Sequence, residues 1–227
     1  MFDKIAPTYD LLNRVISLGL DSGWRRKAVS LFDGQPGSVF LDIAAGSGDV
    51  SLCLLELRPR MVIGADFSLP MLEIFHAKLK EKSEDSRVTL CVCDALQLPF
   101  SGGSFHGVIT AFGIRNFADK LESLREMLRV LKPGGKAVIL ELSVPESTFF
   151  RAVYFLHASF VLPLLGRFLS GDKEAYRYLP RSIASFPLPV EFLSLMEAAG
   201  FRAVESRVLS LGVVRIFSGT KLEARGA

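Results

Sequence analysis

The run SVFLDIAAGSGD, Ser38 to Asp49, constrains this chain more than any other stretch. Ser38 to Ile43 carries branched and large apolar side chains, the mark of a buried strand. Ala44-Ala45-Gly46-Ser47-Gly48 follows with small side chains only, and Val50 to Leu57 continues as a helix-like run. A strand, a tight glycine turn and a helix start make a nucleotide-type site, because glycine lets a ligand approach the backbone closely. The turn is not the dinucleotide fingerprint. Only Gly46 and Gly48 stand at G-x-G spacing, and the carboxylate of Asp42 lies at the strand end. That charge repels a pyrophosphate and suits a cationic amino-acid head group. The expected ligand is a nucleoside carrying an amino acid, S-adenosylmethionine, with Asp42, Gly46, Ser47 and Gly48 around it.

Two later strands repeat the pattern of an apolar run closed by an acid. Met61 to Ala65 ends at Asp66, about the ~20 residues past the turn where doubly wound sheets set an acid on ribose hydroxyls. Val88 to Cys93 ends at Asp94-Ala95, placed to meet an adenine amine and ring nitrogen. Taken singly, Asp66 reads equally as a helix cap and Asp94 as an Asx turn. Three successive strands ending in Asp42, Asp66 and Asp94 favour one shared crevice. Ser104 to Phe112 and Lys136 to Leu142 read as strands four and five, separated by an amphipathic run from Ala118 to Leu131. Glu191 to Ala199 is a last helix, and Phe201–Val208 with Val213–Thr220 is an antiparallel pair. The expected class is α/β. It is a Rossmann-like, mostly parallel seven-stranded sheet with helices on both faces, a terminal antiparallel hairpin and a helical cap insertion. Residues 1–227 form one domain, with the cap at about 145–189.

Charge and cysteine usage narrow the function classes. A net charge of +3 is too small to support nucleic-acid binding, no long Lys/Arg run stands out, and the short run Arg25-Arg26-Lys27 reads as a solvated face. No His/Cys/Asp cluster has metal-ligand spacing, so no metal is expected. Cys53, Cys91 and Cys93 make an odd, irregular set, which points to a reducing, cytoplasmic setting. Cys91 and Cys93 share a strand face and read as buried small hydrophobes. The apolar stretch from Phe149 to Leu169 is broken by Arg151, His157, Pro163 and Arg167, too short for the ~20 residues of a spanning helix. It reads as a cap with a greasy face that suits a lipid-like substrate or peripheral contact with the inner face of a membrane.

At this point the chain resembles the demethylmenaquinone/ubiquinone C-methyltransferase family of class I S-adenosylmethionine enzymes. The resemblance rests on Tyr9-Asp10-Leu11-Leu12-Asn13 with Ser17 and Trp24, on Asp42 to Asp49, on Phe112-Gly113-Ile114-Arg115-Asn116, and on Arg129 to Gly135 continuing to Glu141-Leu142-Ser143. Tyr176 to Ser182 with Phe186-Pro187 adds to it. The glycine turn and the KPGG turn are widespread; the YD-x-x-N and FG-x-RN stretches are far more specific. Leu12 stands where the family usually has Met, Asp21 where it often has His, Ser47 where Thr is common and Ala111 where some members have Ser.

The resemblance implies methylation of a ring carbon on a prenylated quinol, demethylmenaquinol to menaquinol before all. The alternatives are the ubiquinone-precursor benzoquinol and another small lipid-like substrate. It implies Ser47, Asp66 and Asp94-Ala95 as cofactor contacts. Arg115 and Asn116 are then expected to face the quinol oxygens, with Tyr9 closing over the site; Arg115 also reads as a structural partner of a nearby carboxylate. Glu141 reads as a base or as a brace for a backbone amide. A homodimer is compatible with the sequence. An NAD-dependent oxidoreductase would need a third glycine in the turn, and a non-catalytic sensor would need neither FGIRN nor YRYLPRS.

Overall fold

A computed structural model describes residues 14–34, 36–145, 147–148 and 181–223 of the chain. Tyr9 to Asn13, the apolar run 149–169 and Tyr176 to Pro180 lie outside the described residues, and so do the readings made on them. The described elements run α1 (Asp21–Val29), β1 (Val39–Ile43), α2 (Asp49–Leu55), β2 (Met61–Asp66), α3 (Leu69–Lys82), β3 (Val88–Val92), β4 (Phe105–Ala111), α4 (Lys120–Val130), β5 (Leu131–Leu142), α5 (Pro189–Ala199), β6 (Arg202–Leu209) and β7 (Val214–Thr220).

The strands form one seven-stranded sheet in the order β3-β2-β1-β4-β5-β7-β6. β1 to β5 are parallel, and β7 runs antiparallel to both β5 and β6. Alternation along each strand sends side chains to two cores. On one face Leu41, Ile43, Val108 and Ile139 meet Leu124, Met127 and Val130 of α4 and Phe192 and Met196 of α5. On the other, Phe40, Val62, Ile109 and Val138 meet Trp24 and Ala28 of α1, Leu54 of α2 and Phe75 of α3. The strands are apolar on both faces because helices cover both, as a parallel sheet requires.

Local chemistry sets the helix ends. The Asp119 carboxylate accepts from Glu122 N–H at 3.0 Å and starts α4, and Ser68 Oγ caps α3. Gly48 precedes α2 at φ +88°, and a Cβ there would stand 2.0 Å from the Phe75 ring, so only glycine fits. The KPGG segment ends α4 as expected, but the strand begins earlier than Lys136. Leu131 already pairs with Phe105, and the register then shifts before Gly107 meets Lys136.

All three cysteines are free, but Cys91 and Cys93 are only half-buried where burial was expected. β3 is an edge strand, so Cys91 and Cys93 lack an outer neighbouring strand to cover them. Among the described residues no helix is long and apolar enough to cross a membrane, and no His/Cys/Asp/Glu group could hold a metal ion.

Candidate functional site

The strand order reverses direction between β1 and β4, and open α/β sheets bind ligands at the carboxyl ends beside such a switch. A cavity of about 330 Å³ lies there. Ile43 and Ala44 reach it from β1, Ala65 and Asp66 from β2, Cys93, Asp94 and Ala95 from β3, and Ala111 and Phe112 from β4. Gly46, Phe67, Met71, Gly113, Asn116 and Phe117 also line it.

Two residues leave their strands in the left-handed region although neither is glycine. Ala44 has φ +56° and so does Phe112. Such a conformation costs about 1–2 kcal/mol each and persists only where surrounding structure holds it. Here Ala45 N–H donates to Ala65 O at 3.0 Å and Phe112 N–H to Leu140 O at 2.7 Å. Both residues line the cavity. Gly113 then passes so close to Ala44 that a Cβ would lie 2.6 Å from the Ala44 Cβ.

Asp66 clamps the glycine turn. Its Oδ2 accepts from Gly46 N–H and its Oδ1 from Ser68 N–H, both at 2.8 Å. A carboxylate oxygen can accept more than one hydrogen bond, so this clamp and a hydroxyl contact are chemically compatible. Asp94 Oδ1 accepts from Leu96 N–H at 2.9 Å, so the Asx turn and the cavity position coexist in this one residue.

The walls test the expected ligand. Among the described residues they contain two carboxylates, Asp66 and Asp94, and no Lys or Arg. Apolar faces come from Phe67, Met71, Phe112 and Phe117, and the floor is built of alanine and glycine. A pyrophosphate finds no counter-charge there. A positively charged nucleoside fits both the carboxylates and the flat apolar walls.

Of the residues singled out from sequence, Gly46, Asp66, Asp94, Ala95 and Asn116 meet at the cavity. Tyr9 lies outside the described residues. Asp42, Ser47, Gly48 and Arg115 do not line it. Asp42 faces α2, is 1% exposed, and accepts from Ser51 Oγ at 2.7 Å, while its Oδ1 has no hydrogen-bond partner. Burial pushes its carboxyl up to about 7, with the Asp66 charge adding to the rise and the Ser51 hydroxyl opposing it. Ser47 is buried behind the turn, and Gly48 is closed off by Phe75. Strand alternation sets this placement: Phe40 and Asp42 point to the α2 face, Leu41 and Ile43 to the other.

Arg115 adopts the carboxylate-paired alternative. Its Nη1 donates to Glu141 Oε1 at 2.6 Å and to Phe112 O at 2.5 Å. Glu141 is fully buried and also accepts from the backbone N–H groups of Arg115 and Leu142. It braces the loop, which is the second of its two expected roles, and does not line the cavity. Sequence reasoning passed over Phe67, Met71 and Phe117. For Phe67 the sequence offered one signal, an aromatic directly after the strand-end acid Asp66; in the structure it is 79% exposed.

Comparison with known proteins gives this arrangement a context. The model of the ubiE/COQ5 methyltransferase family matches residues 1–221. A demethylmenaquinone methyltransferase of Thermus thermophilus is 46% identical over 222 residues, covering 97% of this chain and 100% of that one. A ubiquinone/menaquinone biosynthesis C-methyltransferase UbiE of Geobacter sulfurreducens is 42% identical over 223 residues, covering 97% and 87%. Among solved structures, the [4+2]-cyclase SpnF superposes with a TM-score of 0.74 at 17% identity, covering 99% of this chain and 95% of that one. A putative S-adenosyl-L-methionine-dependent methyltransferase of Methanococcus maripaludis gives 0.70 at 17%, covering 98% and 94%. These two share the fold.

Proposed function

The chain belongs to the ubiE/COQ5 methyltransferase family, and on that premise we propose that it methylates a ring carbon of a prenylated quinol, demethylmenaquinol, with S-adenosylmethionine as donor. The observation that carries the reading is the joining, in one cavity, of Gly46, Asp66, Asp94 and Ala95 on one side and Asn116 on the other. The first group suits a nucleoside; the second stands where an acceptor ring would enter.

S-adenosylmethionine supplies an electrophilic methyl group on a cationic sulfur. The protein's share is placement. Asp66 offers its carboxylate to ribose hydroxyls, and Asp94 with the Ala95 backbone offers an acceptor and a donor to adenine. Phe67 covers one ring face. The apolar walls keep water from the reacting carbon.

An aromatic carbon attacks well only when the adjacent hydroxyl is ionised, and a phenolic group has a pKa of about 10. Asn116 reaches the cavity and orients that oxygen. Arg115 acts one step back: bound to Glu141 and to Phe112 O, it fixes the Gly113–Asn116 turn and holds a positive charge behind it. It is a positioning residue. Such preorganised charge and orientation are what an enzyme contributes to a methyl transfer without a metal.

The relatives are named for menaquinone and for ubiquinone synthesis, so the benzoquinol is the second reading. Supplying the purified protein with short-prenyl forms of both quinols and labelled S-adenosylmethionine tests it. Label on the naphthoquinol ring is the expected result; label on the benzoquinol alone selects the second reading, and label on neither removes both. A prenylated acceptor stays in the bilayer, so the enzyme works in peripheral contact with the membrane.

A further inference from the structure

Leu18 is 76% exposed, Leu20 52% and Leu211 65%. They sit on two turns at the same end of the sheet as the cavity. Leu211 lies in the β6–β7 turn, whose end pairs with the carboxyl end of β5 through Leu142 and Val214. Leu18 and Leu20 lie in the turn that leads into α1. The turns are fastened to each other: Trp24 Nε1, one helical turn past Leu20, donates to Ser210 Oγ at 2.8 Å. Ser143 ties the second turn to β5, donating from Oγ to Gly212 O at 2.7 Å and from N–H to Val213 O at 2.9 Å. Trp24 also meets the edge of Phe112, with ring centroids 6.3 Å apart, and Phe112 is a cavity wall.

Leu18 at φ +52° and Leu211 at φ +58° hold a strained backbone while their side chains face solvent. Leucine has no local reason to stand in the left-handed region, where glycine or asparagine serves better. Exposed leucine on a strained turn gains its stabilisation only when something apolar covers it. The charges around it say what. Arg14, Arg26 and Lys27 are exposed, whereas Asp21, the carboxylate of the first turn of α1, is buried and bonded to Arg25 and Ser17. At ~1.5 Å rise per residue, Arg26 and Lys27 stand about 9–10 Å behind Leu20. That is the depth by which interfacial segments bury apolar side chains while basic ones reach the head groups.

We infer that these two turns form a knuckle that seats on an anionic lipid surface and brings the cavity end of the sheet to it. The inference rests on the quinol reading, which supplies the reason for a bilayer, but it is tested apart from it. Flotation with vesicles of phosphatidylglycerol and phosphatidylcholine is compared with vesicles of phosphatidylcholine alone. The wild type floats with the first, less so as salt is raised, and stays behind with the second. Leu18→Asn with Leu211→Asn suits the left-handed backbone, so the fold is kept, yet flotation falls about tenfold or more. Arg26→Glu with Lys27→Glu abolishes the preference for the anionic vesicles. Turnover of a short-prenyl quinol in solution stays unchanged in both variants, and turnover of a long-prenyl quinol in vesicles falls with flotation. Wild type that floats with neither vesicle, or an asparagine variant that floats like wild type, overturns the knuckle. Loss of short-prenyl turnover in the wild type overturns the quinol reading instead.

Discussion

The guanidinium of Arg115 and the carboxylate of Glu141 lie 2.6 Å apart at the carboxyl edge of the sheet, with side chains 7% and 0% exposed. They come from different elements, the turn after β4 and the last part of β5. Removing either partner leaves a buried charge alone, which costs about 3–5 kcal/mol. Arg115→Ala and Glu141→Gln should both lower the unfolding midpoint and both slow turnover. If Arg115 acts by positioning, the two variants lose similar amounts of kcat and keep S-adenosylmethionine affinity within a few fold. Denaturant melts, calorimetry and steady-state rates on the same preparations check this.

Asn116→Ala separates contact from support. The side chain reaches the cavity and the backbone N–H bonds to Gly113 O at 2.9 Å, which survives the change. Stability should move by less than about 1 kcal/mol, whereas kcat falls by roughly 10²-fold or more, the size expected when an orienting group at the reacting atoms is lost. A stopped-flow single turnover measures the chemical step directly.

Gly48→Ala should be the most damaging small change in the turn. It places a methyl group 2.0 Å from the Phe75 ring at a residue with φ +88°. Overpacking costs about 1–3 kcal/mol and the left-handed strain adds about 1–2. The variant should express with a depressed melting temperature. Gly48→Ala with Phe75→Leu should recover part of it, which thermal denaturation of both variants shows.

The sheet was legible because each strand is a short apolar run closed by a polar or glycine-rich stop. Ser38–Ile43, Met61–Ala65 and Ser104–Phe112 lie within one residue of β1, β2 and β4 at either end. The cavity positions of Asp66 and Asp94 were legible because both stand at strand ends, which sequence reveals. The position of Asp42 was not. The direction of its side chain depends on which face the strand presents, and its partner Ser51 is on α2. The Arg115–Glu141 pair depends on β4 and β5 being neighbours, with Ala111 opposite Leu140, a register that no local pattern encodes.

Asp42 gives stability a pH dependence of defined sign. Burial raises its carboxyl from 3.8 to about 7. Between those values the folded chain binds the proton that the unfolded chain has released, so this group makes stability fall as pH rises through the window. Asp42→Asn removes the cost while Ser51 Oγ keeps an acceptor. The variant should match wild type near pH 4 and exceed it above pH 7, by up to about 4 kcal/mol. Urea unfolding at both ends of the window measures the difference.

The central claim is that the crevice between β1, β2, β3 and β4 holds S-adenosylmethionine with Asp66 on the ribose. Calorimetric titration of the wild type and of Asp66→Ala with S-adenosylmethionine tests it most directly, with NAD as the control. The account predicts saturable binding by the wild type, loss of about tenfold or more in affinity for Asp66→Ala, and no heat from NAD. Wild-type protein that does not bind S-adenosylmethionine, or an alanine variant that binds it as tightly as wild type, would contradict it.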